Sequence, residues 1–282
     1  MTADLSQARV ERGEVVSVER IGDLIEITAR LPHLAATANP GQFAQLRTGD
    51  SPVPLLRRPF SVAWTDDELC SFVFAEVGVG TRRLGSLHPG DVLDALGPLG
   101  SGFSVRSTGP ALCVSGGVGC APFPLLIKAL AARGVTDVTV LNGAASGSRL
   151  YPAERFRRGN TTVRVIEATD DGSAGRRGYV TELVTASLTP APAAVFACGP
   201  NVMLAALAPM LAPHLLPDDA VVEASLEAPM GCGFGTCLGC ALPRRTADAE
   251  PAWALCCTDG PVMPMRDVDW RALQELPGAD VA

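Results

Sequence analysis

Apolar and polar residues alternate in short runs along the first third of the chain. Such alternation with a period of two is typical of β-strands that bury one face. The runs are bounded by Gly, Pro, Asp or Asn, and Gly22-Asp23 suits a tight hairpin. We predict six strands, at residues 14–20, 24–29, 41–46, 60–64, 69–77 and 91–96. Six closely spaced strands favour a small closed barrel, in which no strand edge is exposed. Only residues 81–87 have a helical pattern here.

From residue 111 the pattern changes to strands that alternate with amphipathic helices. Strands are predicted at 111–115, 137–142, 162–168 and 193–198, with helices at 121–133, 152–157, 180–187 and 202–211. This alternation indicates a parallel sheet covered on both faces. A last strand at 221–226 leads into a stretch rich in glycine and cysteine. The predicted fold class is therefore α+β multidomain: an antiparallel β-barrel (1–107), an α/β parallel-sheet domain (108–220) and a small C-terminal domain (221–282).

Three cysteines in the C-terminal part, Cys232, Cys237 and Cys240, have the spacing C-x4-C-x2-C. This is the plant-type spacing for a [2Fe–2S] cluster, which needs four thiolates. Glycines between residues 231 and 239 permit the positive φ angles that aim backbone N–H groups at sulfur. Zinc, which also binds four thiolates, and a disulfide knot are the alternatives, but zinc sites usually pair two C-x2-C hairpins. Spacing alone leaves Cys256 and Cys257 both open as the fourth ligand, since adjacent strand residues face opposite ways.

Charge and cysteine content exclude several classes of protein. The formal net charge of −7 and the lack of a basic stripe argue against a nucleic-acid partner. No apolar run of about eighteen residues is present, so we expect no membrane span. The N-terminal residues lack the basic and apolar regions of a signal peptide. Nine cysteines, an odd number, indicate a reducing compartment and hence a cytoplasmic protein.

Two loops in the α/β domain have the composition of a nucleotide site. Gly116-Gly-Val-Gly-Cys-Ala-Pro122 joins a predicted strand to a predicted helix, where free N–H groups attract phosphate. Pro122 is tolerated in the first turn of that helix. Cys198-Gly-Pro200 ends a later strand. Ligands of open parallel sheets bind beyond the carboxyl ends of the strands, so two such loops favour a nucleotide site over ordinary connections.

The barrel carries two further motifs suited to phosphate. Arg57-Arg-Pro-Phe-Ser61 places arginines and a hydroxyl at the start of a strand, and arginine binds pyrophosphate in a bidentate manner. Ser61 is a candidate hydrogen-bond partner for a flavin ring. Gly78-Val-Gly-Thr81 opens the short helix with backbone amides and a hydroxyl. Alone, the arginines would be read as a solvated basic corner, but the two motifs together predict a flavin nucleotide on the barrel.

With barrel, sheet and cysteine loop in this order, nearly the whole chain resembles the electron-transfer subunits of NAD-dependent dihydroorotate dehydrogenases, a branch of the ferredoxin–NADP reductase superfamily. The flavin motif Arg-x-Tyr/Phe-Ser matches Arg58-Pro-Phe-Ser61, and Gly-x-Gly-Thr matches residues 78–81. The nucleotide loops match 116–122 and 198–200. Met-x-Cys-Gly-x-Gly-x-Cys-x-x-Cys matches 230–240, and Cys-x-Asp-Gly-Pro-Val matches 257–262, which favours Cys257 as the fourth ligand.

The resemblance implies FAD on the barrel, NAD(H) at the sheet and a [2Fe–2S] cluster in the C-terminal domain at a protein–protein face. It implies a hetero-oligomer with a catalytic flavoprotein subunit, an FMN-containing dihydroorotate dehydrogenase of pyrimidine biosynthesis, because nothing in this sequence would itself oxidise dihydroorotate. The implied cofactor-binding residues are Arg58, Pro59, Phe60, Ser61, Phe74, Ala75, Gly78, Gly80, Thr81, Gly116, Gly117, Gly119, Pro122, Cys198, Gly199 and Pro200. The implied metal ligands are Cys232, Cys237, Cys240 and Cys257.

Some features depart from the family pattern. Sixteen residues separate Cys240 from Cys257, with 243–251 as the expected insertion, and the doubled cysteine is unusual. These leave room for a reductase that serves an oxygenase, a hydrogenase or a transhydrogenase, and for a zinc-stabilised nucleotide sensor without redox activity. The family implies NAD(H), yet Arg149 near the second parallel strand suits the 2′-phosphate of NADP(H), with no acidic residue at 141–149.

Overall fold

Six antiparallel strands close into the predicted barrel. The computed structural model describes residues 4–49, 54–106, 109–246 and 252–276. The barrel strands are β1 (Arg9–Ile21), β2 (Leu24–Arg30), β3 (Phe43–Leu46), β4 (Arg58–Asp66), β5 (Leu69–Ala75) and β6 (Val92–Leu99). They hydrogen-bond in the order β1-β2-β5-β4-β3-β6. Alternate residues such as Ile27, Phe72 and Leu46 point inward and are fully buried, as the period of two requires.

Two short helices accompany the barrel, α1 (Pro32–Thr37) and α2 (Val79–Gly85). The second corresponds to the helical pattern predicted at 81–87. The first was not predicted: it has six residues, only Leu34 of which is buried, so the sequence carries no apolar periodicity there. Proline in its first turn and two backbone N–H groups bonded to the Glu11 carboxylate fix its start.

The second sheet has seven strands in the order β10-β9-β8-β7-β11-β12-β15. They are β7 (Ala111–Gly116), β8 (Val138–Ala144), β9 (Arg164–Thr169), β10 (Arg176–Arg177), β11 (Ala194–Cys198), β12 (Val221–Ser225) and β15 (Val262–Pro264). All neighbours are parallel except β15, which is antiparallel to β12. The connecting helices are α3 (Phe123–Ala132), α4 (Ala153–Phe156), α5 (Val184–Ser187) and α6 (Asn201–Leu207). Every residue of β8 and β11 is buried, as expected of strands covered on both faces.

The C-terminal part packs against both larger units. It contains the hairpin of β13 (Ala241–Arg244) and β14 (Ala252–Leu255), the strand β15 and the helix α7 (Trp270–Glu275). One hydrophobic cluster joins Leu99 of the barrel, Val195 of the sheet and Cys257. The strand at the expected boundary of the third domain, β12, pairs with β11 in the sheet. The division at 107/108 and 220/221 remains a prediction.

A buried charge network fixes the barrel against the sheet domain. Glu26 of β2 is 3% exposed and accepts hydrogen bonds from Tyr151 Oη at 3.0 Å and Arg155 Nη1 at 3.1 Å. Arg158 Nη1 bonds its other oxygen at 2.5 Å. Burial raises the pKa of Glu26, against the opposing effect of Arg155. A buried carboxylate is tolerated when it is paired and hydrogen-bonded, as here. No helix in the described ranges is long and apolar enough to cross a bilayer.

Candidate functional site

The two arginines at the start of β4 have different surroundings. Arg57 Nη1 lies 2.7 Å from Asp94 Oδ1 and donates to the carbonyl of Gln45, so its charge is neutralised within the barrel. Arg58 forms no ion pair within the described residues, and its guanidinium donates only to the carbonyls of Leu56 and Arg57. The charge of Arg58 is therefore available to an anionic ligand, whereas that of Arg57 stabilises the strand.

The structure brings the two barrel motifs together. A Cβ atom on Gly80 would lie 3.4 Å from both Cγ and Nε of Arg58, so the turn before α2 lies directly against the Arg58 side chain. Thr81 Oγ1 accepts from the N–H groups of Val77 and Gly78, each at 3.0 Å, which holds the turn. The rings of Phe60 and Phe74 lie 5.1 Å apart, which joins the end of β5 to the arginine motif. The remaining predicted residues occupy the same strands and turn: Pro59 and Ser61 on β4, Ala75 at the end of β5, and Gly78 before α2.

The two glycine loops of the sheet domain touch one another. A Cβ atom on Gly119 would lie 2.2 Å from the carbonyl oxygen of Cys198, and one on Gly199 would lie 3.1 Å from the backbone N of Gly116. Both loops leave adjacent strands at the same edge, since Cys198 is in register with Ser115. Gly117, with φ +55°, meets nothing within 4 Å, so this part of the loop is open. Pro200 precedes α6, and Pro122 precedes α3. The two loops therefore meet at the carboxyl edge of the sheet, which is the edge where open parallel sheets bind their ligands.

Glu227 lies at this edge and was missed by the sequence analysis. It follows β12, whose last residue Ser225 is in register with Cys198. The Asn201 side chain holds its backbone, donating to the Glu227 carbonyl at 3.0 Å and accepting from its N–H at 3.3 Å. Burial raises the pKa of Glu227 to about 7 and, with Glu227 nearby, that of the Cys198 thiol to about 12. The sequence signal that could have identified Glu227 is an acidic residue directly after a strand that ends at the same edge of the sheet as the two glycine loops.

Acidic side chains, also missed, lie near the end of β8. The N–H groups of Asp170 and Asp171 donate to the carbonyls of Ala144 and Ala145, at 3.1 and 3.3 Å. Both aspartates follow the neighbouring strand β9, so a search limited to residues 141–149 does not find them. Arg149 is engaged elsewhere, with its Nε 3.6 Å from Asp23 Oδ2 of the barrel hairpin.

The four predicted metal ligands form two pairs. Cys240 Sγ lies 3.3 Å from Cys257 Sγ, and both side chains are buried. Cys232 Sγ accepts from the N–H of Cys237 at 3.5 Å, and this second pair is more exposed. Burial tends to raise the pKa of Cys232, but hydrogen bonds from backbone N–H groups, including those of Phe234 and Cys237, outweigh it and lower the pKa to about 6.

The loop geometry fits a two-iron cluster better than the alternatives. Two irons require two thiolates each, and backbone N–H groups bond to the sulfurs of bound clusters. Gly235 N donates to Cys257 Sγ at 3.2 Å, and Gly233 and Gly235 have positive φ, as the glycine pattern predicts. All nine cysteines are free thiols, so the disulfide knot is not formed. Within the described residues, no three His, Cys, Asp or Glu side chains are grouped to hold one metal ion such as zinc.

Cys256 faces the other way from its neighbour. Its side chain is fully buried, and its Sγ donates to the carbonyl of Leu226 at 3.4 Å. Burial, with smaller contributions from Cys240 and Cys257, raises its pKa well above the usual range. The thiol of Cys256 thus points into the protein interior next to the end of β12, whereas the thiol of Cys257 lies beside that of Cys240.

Family models match two parts of the chain, one in the sheet domain and one at the cysteine loop. Residues 227–269 match the iron-sulfur cluster binding domain of dihydroorotate dehydrogenase B. Residues 113–208 match the oxidoreductase NAD-binding domain. The first match contains all four predicted ligands, and the second contains both glycine loops.

Relatives match over almost the full length. The chain is 38% identical to the dihydroorotate dehydrogenase B (NAD(+)) electron transfer subunit of Geobacillus thermodenitrificans, over 89% of this chain and 95% of the relative. The corresponding subunit of Lysinibacillus sphaericus is 36% identical, over 91% and 97%. Among solved structures, an NADH-dependent reduced ferredoxin–NADP oxidoreductase superposes with a TM-score of 0.79 at 28% identity, over 93% of this chain and 91% of that one. A ferredoxin reductase of carbazole 1,9a-dioxygenase (TM-score 0.63, 23% identity, 76% and 68% coverage) shares the fold. The chain therefore belongs to the family of dihydroorotate dehydrogenase B electron transfer subunits.

Proposed function

We propose that this chain carries electrons between NAD and a catalytic flavoprotein subunit that oxidises dihydroorotate in pyrimidine biosynthesis. The observation that carries the proposal is the contact between the flavin and cluster elements: β3 pairs with the arginine motif in β4 and also touches the cysteine loop at Gly233. With the nucleotide loops in the same chain, the three sites form a route for electrons. The partner is a separate subunit, an FMN-containing dihydroorotate dehydrogenase in a hetero-oligomer.

On the barrel, Arg58 neutralises the pyrophosphate of FAD, and Ser61 and the turn 78–81 supply hydrogen bonds to it. Phe60, Phe74, Pro59 and Ala75 form the surrounding surface. FAD supplies the coupling between a two-electron hydride and single electrons, which the protein's own side chains lack. Arg58 forms no ion pair among the described residues and lies beside Gly80, which supports this assignment.

At the sheet, Gly116, Gly117, Gly119 and the helix start after Pro122 receive the phosphates of NAD(H), and residues 198–200 border the nicotinamide end. We infer a preference for NAD(H) over NADP(H). The carboxylates of Asp170 and Asp171 beside the end of β8 repel a 2′-phosphate. Arg149, the residue that suits a 2′-phosphate, is instead paired with Asp23.

In the C-terminal domain, Cys232 and Cys237 bind one iron, and Cys240 and Cys257 bind the other. Cys237 is exposed and Cys232 partly so, whereas Cys240 and Cys257 are buried in the apolar cluster that includes Phe43 and Leu99 of the barrel. This arrangement suits transfer from a covered flavin to an external partner. We retain 1–107, 108–220 and 221–282 as the domain limits, with β12 shared across the last boundary. None of the nine cysteines forms a disulfide, and the five that are not cluster ligands remain thiols, which supports a cytoplasmic location.

The decisive experiment is purification of the chain with its native partner, followed by measurement of dihydroorotate-dependent reduction of NAD⁺. We expect activity only when both subunits are present, and NADH-dependent dye reduction by this chain alone. The structural similarity to a ferredoxin–NADP oxidoreductase defines the main competitor. Co-purification with a partner that does not oxidise dihydroorotate, at full flavin and iron content, would favour a reductase of that kind.

A further inference from the structure

Gln45 lies where the barrel meets the cysteine loop. In β3 the side chains of Ala44 and Leu46 belong to the barrel core, so Phe43 and Gln45 point to the outer face. That face is covered: Phe43 packs in the same apolar cluster as Cys240 and Cys257, and Gln45 has no exposed surface. A glutamine that sequence alternation would place in solvent is buried by the C-terminal domain.

The side chain of Gln45 touches the loop between the first two predicted ligands. A Cβ atom on Gly233 would lie 2.7 Å from Gln45 Nε2 and 2.8 Å from its Cγ. Gly233 also has φ +85°, so both its conformation and its contact with Gln45 require glycine. The segment that follows Cys232 therefore packs directly against the side-chain amide of Gln45.

Within the part of the chain that the structure describes, the side-chain amide of Gln45 has no partner, whereas that of a nearby glutamine has several. Among these residues, neither Nε2 nor Oε1 of Gln45 has a hydrogen-bond partner. Gln42, three residues earlier, donates from Nε2 to the Gly100 carbonyl at 2.8 Å and accepts at Oε1 from Asn39 N at 2.8 Å. A buried polar group left unpaired is costly, and the rare cases call for a ligand or a functional explanation.

We propose that Gln45 Nε2 donates a hydrogen bond to a sulfur of the [2Fe–2S] cluster and thereby raises its reduction potential. The inference rests on the proposed function, since it requires the cluster at the four cysteines. Cluster sulfurs are anionic acceptors, and hydrogen bonds to them set the potential. A donor stabilises the reduced cluster more than the oxidised one because the reduced cluster carries one more negative charge.

Gln45 lies between the flavin motif and the cysteine loop. Its register partners are Pro59, within the flavin motif of β4, and Leu96 of β6. Leu96 packs against the hydrophobic cluster of side chains that includes Cys257. The strand that supports the flavin motif therefore also presents the donor to the cluster.

The test compares Gln45→Leu with Gln42→Leu in the full chain loaded with FAD and iron. The readouts are iron and flavin content, the cluster midpoint potential by EPR-monitored titration, and the melting temperature. For Gln45→Leu we expect full flavin, a retained cluster and a lower midpoint, so that the equilibrium constant for cluster reduction falls roughly three- to tenfold, as for one lost hydrogen bond. Gln42→Leu should lower the melting temperature and leave the midpoint unchanged.

An unchanged midpoint and EPR spectrum in Gln45→Leu would overturn the inference. If that variant loses iron, Gln45→Asn decides: a cluster retained with a shifted midpoint supports the donor role, and loss in both variants assigns Gln45 to packing. A wild-type chain that holds flavin but no iron–sulfur signal would instead overturn the proposed function, so the two failures are distinguishable.

Discussion

At the scale of single residues, the two adjacent cysteines differ in what their sulfur atoms meet. Cys257 Sγ lies beside Cys240 Sγ and accepts from the Gly235 N–H, a donor suited to a thiolate. Cys256 Sγ instead donates to a backbone carbonyl, an arrangement that keeps a thiol protonated. The sequence alone left both open, because spacing does not say which way a side chain points.

We predict that Cys257→Ser loses most of the iron and the visible absorption of the cluster, while Cys256→Ser keeps both. Serine retains the size of cysteine but is a poor ligand for iron in place of a thiolate. Iron analysis and the absorption spectrum of the two purified variants, with flavin content as the control for folding, check the assignment. Greater damage from Cys256→Ser would show that the fourth ligand is assigned to the wrong cysteine.

Glu227 makes the stability of the protein depend on pH. Burial raises its pKa from 4.5 to about 7, so between these values the folded chain holds a proton that the unfolded chain has released. Stability from this group is complete below pH 4.5 and is lost as pH rises through about 7. The difference in pKa corresponds to on the order of 3 kcal/mol as an upper value.

Glu227→Gln should therefore flatten the fall in melting temperature between pH 5 and pH 8, since the amide cannot ionise. The backbone bonds of residue 227 to Asn201 remain possible in the variant. Thermal melts of the flavin-loaded wild type and variant over this pH range provide the measurement. Parallel curves for the two proteins would mean that the Glu227 carboxyl is not appreciably destabilised by burial.

At the scale of elements, the longer strands could be predicted from the sequence, whereas the shortest strands and the contacts between distant elements could not. All six barrel strands follow from the alternation of apolar and polar residues, and β7, β8, β9, β11 and β12 follow from short apolar runs that alternate with helical segments. The strands β10 and β15 have two and three residues, too few for a period, and exist because neighbouring strands offer hydrogen-bonding edges. The burial of Gln45 depends on contact with a loop almost two hundred residues later, which no local pattern encodes.

The site shows the same division between local and distant information. The glycine motifs could be predicted from sequence because their residues are contiguous in the chain. Asp170 and Asp171 were not predicted, because the loop after β9 approaches the end of β8 only through the parallel pairing of the two strands. Whether Arg149 was free to bind phosphate likewise depended on Asp23, from another domain.

We predict that kcat/KM is higher for NADH than for NADPH and that the double variant Asp170→Asn, Asp171→Asn narrows the difference. Loss of two exposed charges should raise kcat/KM for NADPH by up to roughly tenfold, because solvent weakens the repulsion between exposed charges and a 2′-phosphate. Steady-state dye reduction with both cofactors measures the effect. Asp137→Asn, just before β8 at the opposite edge of the sheet, is the matched control and should change neither value. A wild-type preference for NADPH would contradict the prediction.

At the scale of the whole molecule, a route for electrons requires that the cluster be covered on one side and accessible on the other. The covered side is the barrel: Gly260 O accepts from Ser101 N at 2.6 Å, and Gln45 closes against Gly233. On the accessible side, Phe234 is 43% exposed, Leu238 62% and Trp253 54%. Large apolar side chains exposed around a cofactor loop indicate a surface for another protein.

Leu238 is the sharper probe of that surface because its backbone is unusual. It has φ +59°, a conformation that glycine or asparagine adopts more readily than leucine. Packing within this chain does not account for leucine here, since most of its side chain is exposed, and we predict that it contacts the catalytic subunit. Apolar residues at the centre of an interface often contribute about 2 kcal/mol or more to binding.

Leu238→Asn, which suits the backbone, and Phe234→Ala should therefore each weaken assembly with the catalytic subunit by roughly tenfold or more in Kd. Cluster content and NADH-dependent dye reduction by the isolated chain should be unaffected, because neither side chain is needed for hydride transfer to the flavin. Val92→Asn, an equally exposed apolar position at the far end of β6, is the control for lost surface hydrophobicity. Gel filtration of the mixed subunits and titration calorimetry measure the effect. Assembly unchanged in both variants, or loss of iron before any loss of binding, would assign Phe234 and Leu238 to packing over the cluster.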